Sequence, residues 1–93
     1  MGGVILPFFM EIIIYSTKGC FYCEQMKELC NRAGVEYELN DVPEKGELRQ
    51  NFIKKYPNAV GFPWVIIDGE EVGGLVESAK YFIKRGMVSA KRK

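Results

Sequence analysis

Cys20 and Cys23 stand three positions apart at the point where a wholly apolar run gives way to an amphipathic one. Glu11 to Ser16 (EIIIYS) carries three consecutive isoleucines and a tyrosine, the continuous apolar character of a strand buried on both faces and therefore central in its sheet. From Cys23 to Ala33, Met26, Leu29, Cys30 and Ala33 recur at steps of three and four opposite Glu24, Lys27, Glu28 and Arg32, which is one apolar helical stripe. Gly34 is its natural stop. A strand that hands over to a helix at this junction puts Cys20 at or next to the N-cap. There the unpaired backbone N–H groups favour a thiolate. Cys23 lies one turn inside, mostly covered. The two sulfurs are then close enough to bond, so Cys20 can attack a foreign disulfide and Cys23 can resolve the mixed intermediate.

The same C-x-x-C spacing can also supply half a zinc site or fall into a core by chance. The surroundings favour the redox reading, because the chain has no histidine and only one further thiol, Cys30, which leaves a tetrahedral site short of Cys and His ligands. Cys30 shares the stripe of Cys23 and reads as a small core residue. At 93 residues the chain is one domain with a modest core, and 47% hydrophobic and 27% charged residues with a net charge of +1 argue against disorder and against an electrostatic nucleic-acid binder. Three cysteines are too few and too odd in number for a secreted disulfide scaffold and fit a reducing cytoplasm.

The apolar run 1–9 lacks a basic start and a cleavage site, and even extended to Ile14 it is interrupted by Glu11 and too short to span a bilayer. It is expected to be an extension without fixed structure, either appended residues or the product of an upstream start codon, with a lipid-contacting tail a distant third reading, and no membrane partner is expected. Residues 87–93, ending Lys91-Arg92-Lys93, form a frayed basic tail, which leaves 10–86 as the domain.

Further along, Val35 to Asn40 (VEYELN) alternates as a half-buried strand, and a strand–helix–strand unit of this length implies parallel pairing with a right-handed crossover. Asp41-Val42-Pro43 breaks the chain. Glu44 to Tyr56 then reads as a helix with Leu48, Phe52, Ile53 and Tyr56 inward. Pro63 to Ile67 is an apolar strand, Asp68-Gly69 a hairpin turn and Glu70 to Val72 the returning strand. A last helix runs from about Leu75 to Arg85, with Val76, Ala79, Tyr81, Phe82 and Ile83 on its apolar side. The order β-α-β-α-β-β-α is an α/β domain, a four-stranded mixed sheet flanked by helices.

Three motifs in this order resemble a glutaredoxin, and hence the thioredoxin-like fold, from about Met10 to Arg85: C-x-Y-C after the first strand, Gly61-Phe62-Pro63 before the third, and Asp-Gly followed by Gly-Gly before the last helix. The resemblance implies a dithiol thiol–disulfide oxidoreductase, with Cys20 as nucleophile, Cys23 as resolving thiol and glutathione as co-substrate. It also implies a cis bond before Pro63 beside the reactive disulfide, and a Phe62 backbone that pairs with the substrate. Tyr22 of the motif belongs to that substrate surface. Gly73 and Gly74 would let the chain approach the ligand and leave the N–H groups of Leu75 and Val76 to bind a carboxylate, although a plain turn also explains the glycines. Lys18 and Gln50 are where the resemblance expects partners of glutathione's glycine carboxylate.

The chain departs from that pattern in places. Lys18 lies two residues before Cys20 where the family often has its basic residue three before, and Gly61 replaces a polar residue. Val76 stands where an acid is expected to meet the ligand's amino group, with Glu77 beside it as a substitute or as an ordinary acidic residue of a first helical turn. Phe21 replaces the proline most common in C-P-Y-C, a variation seen in phage-type glutaredoxins and donors to ribonucleotide reductase. Expected partners are glutathione and disulfide-bearing proteins, ribonucleotide reductase among them, acting on a monomer without a metal. Alternatives are a thioredoxin-like donor reduced by a flavoprotein reductase and a carrier of an iron–sulfur cluster ligated by glutathione.

Overall fold

A computed structural model describes residues 10–88. The extension expected over 1–9 and the basic end of the tail lie outside the described residues. The elements are β1 (Ile12–Ser16), α1 (Phe21–Ala33), β2 (Glu38–Asp41), α2 (Glu47–Lys55), β3 (Trp64–Ile67), β4 (Glu70–Gly73) and α3 (Leu75–Lys84). The strands form one sheet in the order β2-β1-β3-β4, with β1 parallel to β2 and the other two pairings antiparallel. β1 is therefore central, as its run of isoleucines requires.

Alternation along β1 divides the molecule into two packed layers. Ile12 and Ile14 point with Val65 and Ile67 of β3 to one face, where Met26, Leu29 and Cys30 of α1 and Phe82 of α3 close over them. Ile13 and Tyr15 point to the other, where Trp64, Ile66, Val42 and Phe52 of α2 form a smaller cluster. Each large side chain so buried contributes about 1.5–3 kcal/mol relative to exposure, which makes the α1/α3 side the chief source of stability. Among the described residues no helix is long and apolar enough to cross a membrane.

Helix α1 stops at Gly34, whose φ of 72° is left-handed and whose N–H donates to the Asn31 carbonyl. A side chain there would strain the backbone, although open space surrounds it.

Three expectations are corrected. β2 starts at Glu38 rather than Val35 and is mostly exposed, because it is an edge strand, while Val35 and Tyr37 pack against the larger cluster before it begins. α2 starts at Glu47 rather than Glu44, and of its expected inward residues only Phe52 is buried and Tyr56 half-buried, whereas Leu48 and Ile53 are exposed. On α3, Val76 and Ile83 are exposed, and the buried line is instead Ser78 and Phe82.

Candidate active site

Cys20 caps α1 itself. Its backbone is extended (φ −97°, ψ 109°) and its sulfur accepts the Cys23 N–H at 3.1 Å, the place a serine or aspartate oxygen takes at an ordinary N-cap. The sulfur thus lies against the positive end of a 13-residue helix. Cys20 and Cys23 are joined as a disulfide, with Cα atoms 5.2 Å apart. They differ in access: Cys20 is partly exposed, whereas Cys23 is 2% exposed beneath the first turn. An incoming thiol or thiolate therefore meets Cys20 first.

Short bonds fix the loop before Cys20. The Ser16 hydroxyl donates to Asp41 Oδ1 at 2.7 Å and the Thr17 hydroxyl to the Val42 carbonyl at 2.9 Å, which ties the C-terminal ends of β1 and β2 together. Cys30, one helical stripe deeper, is a free thiol with no exposure, and burial pushes it up to about 11. It remains protonated and away from solvent, as its place on the stripe led us to expect.

The Phe62–Pro63 peptide is cis, and the Phe62 carbonyl oxygen lies 3.7 Å from the Cys20 sulfur. Beyond it opens a cleft of about 300 Å³ lined by Gly61, Phe62, Pro63, Gly73, Gly74 and Glu77, among others. Of the residues expected from the sequence, Phe62, Pro63, Gly74 and Glu77 meet here. Gly73 adopts a φ of 126°, and a Cβ on it would come within 3.0 Å of the Glu77 side chain, so glycine lets that side chain fold back over the turn. Glu77 Oε1 then accepts the Gly74 N–H at 3.0 Å. Glu77 lines the cleft while capping the start of α3, whereas Val76, where an acid was expected, is 60% exposed and does not line it.

The other expected residues lie around this centre. Tyr22 is exposed on the first turn of α1, edge-on to Phe21 at 5.6 Å between ring centroids. Lys18 is exposed on the loop before Cys20. Leu75 is half-buried against the larger cluster, and the start of α3 leaves the Leu75 and Val76 amides without intrahelical acceptors. Gln50 is exposed on α2, whereas its neighbour Arg49 reaches the site, with its guanidinium 4.8 Å from the centre of the Phe62 ring. Arg49 belongs to no sequence motif, and its only signal is its spacing of three from Phe52.

A larger cleft, about 420 Å³, lies between β2 and α2; no cysteine lines either cleft, but only the smaller one includes Phe62, whose carbonyl meets the Cys20 sulfur, so size does not mark the chemistry. Among the described residues no group of three or more His, Cys, Asp or Glu is placed to hold a metal ion.

A family model described as Glutaredoxin matches residues 12–72, from the first strand into β4. Human glutaredoxin-3 is 43% identical over 56 residues, which are 60% of this chain but 16% of that protein. Glutaredoxin 1 of Francisella tularensis, solved with cacodylate, superposes with a TM-score of 0.68 at 21% identity over 84% of this chain and 96% of its own. A buckwheat glutaredoxin–glutathione complex does so at 0.67 and 20% identity, over 82% of this chain and 70% of its own. Both structures carry the thioredoxin-like α/β fold seen here. Since the family model runs through the C-x-x-C, the cis-proline turn and most of the sheet, the chain belongs to the glutaredoxin family.

Proposed function

We propose that this chain is a glutathione-dependent dithiol reductase of protein disulfides and of glutathione mixed disulfides. The unequal access of the two sulfurs carries the reading. In the reduced protein the Cys20 thiolate attacks one sulfur of a substrate disulfide. That S–S bond breaks, a Cys20 mixed disulfide forms, and the departing thiolate takes up a proton. Cys23 loses its proton and attacks the Cys20 sulfur, releasing the second substrate thiol and leaving the intramolecular disulfide. One glutathione thiolate then opens that bond at Cys20, and a second displaces it as glutathione disulfide.

The buckwheat complex supports glutathione as the ligand of this groove, and the cleft beside Cys20 offers it a carboxylate, Glu77, for an ammonium group. Clients are disulfide-bearing proteins, with ribonucleotide reductase a candidate, met by a monomer in a reducing cytoplasm. The alternative of a donor served by thioredoxin reductase, which the missing acid at position 76 makes credible, is weighed against the carboxylate that Glu77 brings to the cleft.

The test is reduction of the oxidised chain by glutathione against reduction by a thioredoxin reductase, repeated on Glu77→Gln. Glutamine keeps the ability to cap Gly74 but removes the charge. Glutathione is expected to reduce the chain, with KM rising several-fold in Glu77→Gln, the equivalent of about 1 kcal/mol for one charge-assisted contact. Reduction by the reductase with glutathione inert would contradict the proposal.

A further inference from the structure

The Phe62 ring is held by two side chains of α2 that lie three residues apart on one helical face. Phe52 stacks on it with ring centres 5.3 Å apart and planes inclined by 29°, and the Arg49 guanidinium stands 4.8 Å from its centre. Arg49 also donates one N–H to the Pro43 carbonyl at 3.1 Å, across the loop between β2 and α2. It is half-buried, yet among the described residues no carboxylate comes within ion-pair distance of it. Without an acidic partner, the guanidinium is held by the ring and the carbonyl, and these contacts fix its place. On the far side of the same residue, the Phe62 carbonyl lies 3.7 Å from the Cys20 sulfur. Ring and carbonyl belong to one residue, and a ring that is held limits how far its carbonyl can move.

We propose that Arg49 is a positioning residue for the exchange reaction. By gripping the Phe62 ring it holds the Phe62 backbone at the Cys20 sulfur, where an incoming disulfide must line up. The inference rests on the exchange chemistry proposed above. Lysine cannot take this role, because it keeps the charge but loses the planar face and the fixed fork of donors.

The experiment is a single-turnover reaction of the reduced, full-length chain with the mixed disulfide of glutathione and 2-mercaptoethanol, followed in a double-mutant cycle of Arg49→Ala and Phe62→Leu. Because it needs no regeneration, it is independent of which reductant restores the dithiol. A failure of glutathione recycling therefore shows up separately. Arg49→Ala and Arg49→Lys should each slow the reaction about tenfold in the wild-type background, a modest cost for a misplaced binding edge. Arg49→Ala should cost less than about twofold once Phe62 is leucine and there is no ring to grip. Equal slowing in both backgrounds would overturn the proposal, since Arg49 would then act through the Pro43 loop or through its charge. A wild-type rate in Arg49→Lys would overturn it too.

Discussion

Three thiols within eleven positions of one helix face three environments, and burial separates them. Cys20 is partly exposed at the helix start, Cys23 is covered by the first turn, and Cys30 sits in the core with its thiol pushed up to about 11. That last shift has a testable consequence. Below the unfolded value of 9.0 the thiol is protonated in both states and adds no pH dependence. Between 9.0 and about 11 the unfolded chain gives up its proton while the folded chain keeps it, so stability falls as pH rises. Cys30→Ala should lose about 1 kcal/mol near neutral pH as a small core truncation, and its deficit against wild type should shrink from pH 9.0 upward. Urea unfolding of both oxidised proteins at neutral and alkaline pH measures it, and a constant deficit would contradict the burial. The places of Cys20, Cys23 and Cys30 were legible in the sequence because helical spacing and a strand–helix junction suffice to fix them. The place of Arg49 was not, since the ring it meets is 13 positions away and only the tertiary fold brings the two together.

At the scale of elements, the boundaries that moved are those where apolar spacing is a poor guide to what lies opposite. α2 carries apolar residues at 48, 52, 53 and 56, but it packs on the smaller cluster through Phe52 and Tyr56, which leaves Leu48 and Ile53 on its two flanks. β2 alternates in sequence but lies at an edge, so neither face is fully covered. The ends of α1, by contrast, were written in local chemistry, with Cys20 at the start and Gly34 at the stop. Gly34→Ala isolates the stop: with nothing within 4 Å of the added carbon, its cost comes from the left-handed backbone alone and should be about 1 kcal/mol. Thermal unfolding should show a drop of about 4–8 °C, the ordinary response of a domain this small to such a loss. Gly34→Asn, which tolerates that conformation better, should lose less. An unchanged midpoint in Gly34→Ala would mean that α1 does not end as described.

For the whole molecule, the element order carried the topology, because a strand–helix–strand crossover makes β1 and β2 parallel and the Asp68-Gly69 turn makes β3 and β4 antiparallel. What the order leaves open is which loops meet. The cysteine loop after β1, the turn before β3 and the β4–α3 turn converge on one side of the sheet, so the Cys20 sulfur, the Phe62 carbonyl and the cleft with Glu77 form one surface from three distant segments. The proposed division of labour between the two sulfurs of that surface is tested most directly by a pair of single-thiol variants. Reduction of a glutathione mixed disulfide and of a protein disulfide should be measured for Cys20→Ser and Cys23→Ser with excess glutathione. Cys20→Ser should be inactive on both substrates. Cys23→Ser should fail on the protein disulfide yet retain activity on the mixed disulfide, where external glutathione can resolve the intermediate at the more accessible Cys20. Equal loss in both variants on both substrates would contradict the assignment of Cys20 as nucleophile and Cys23 as resolving thiol.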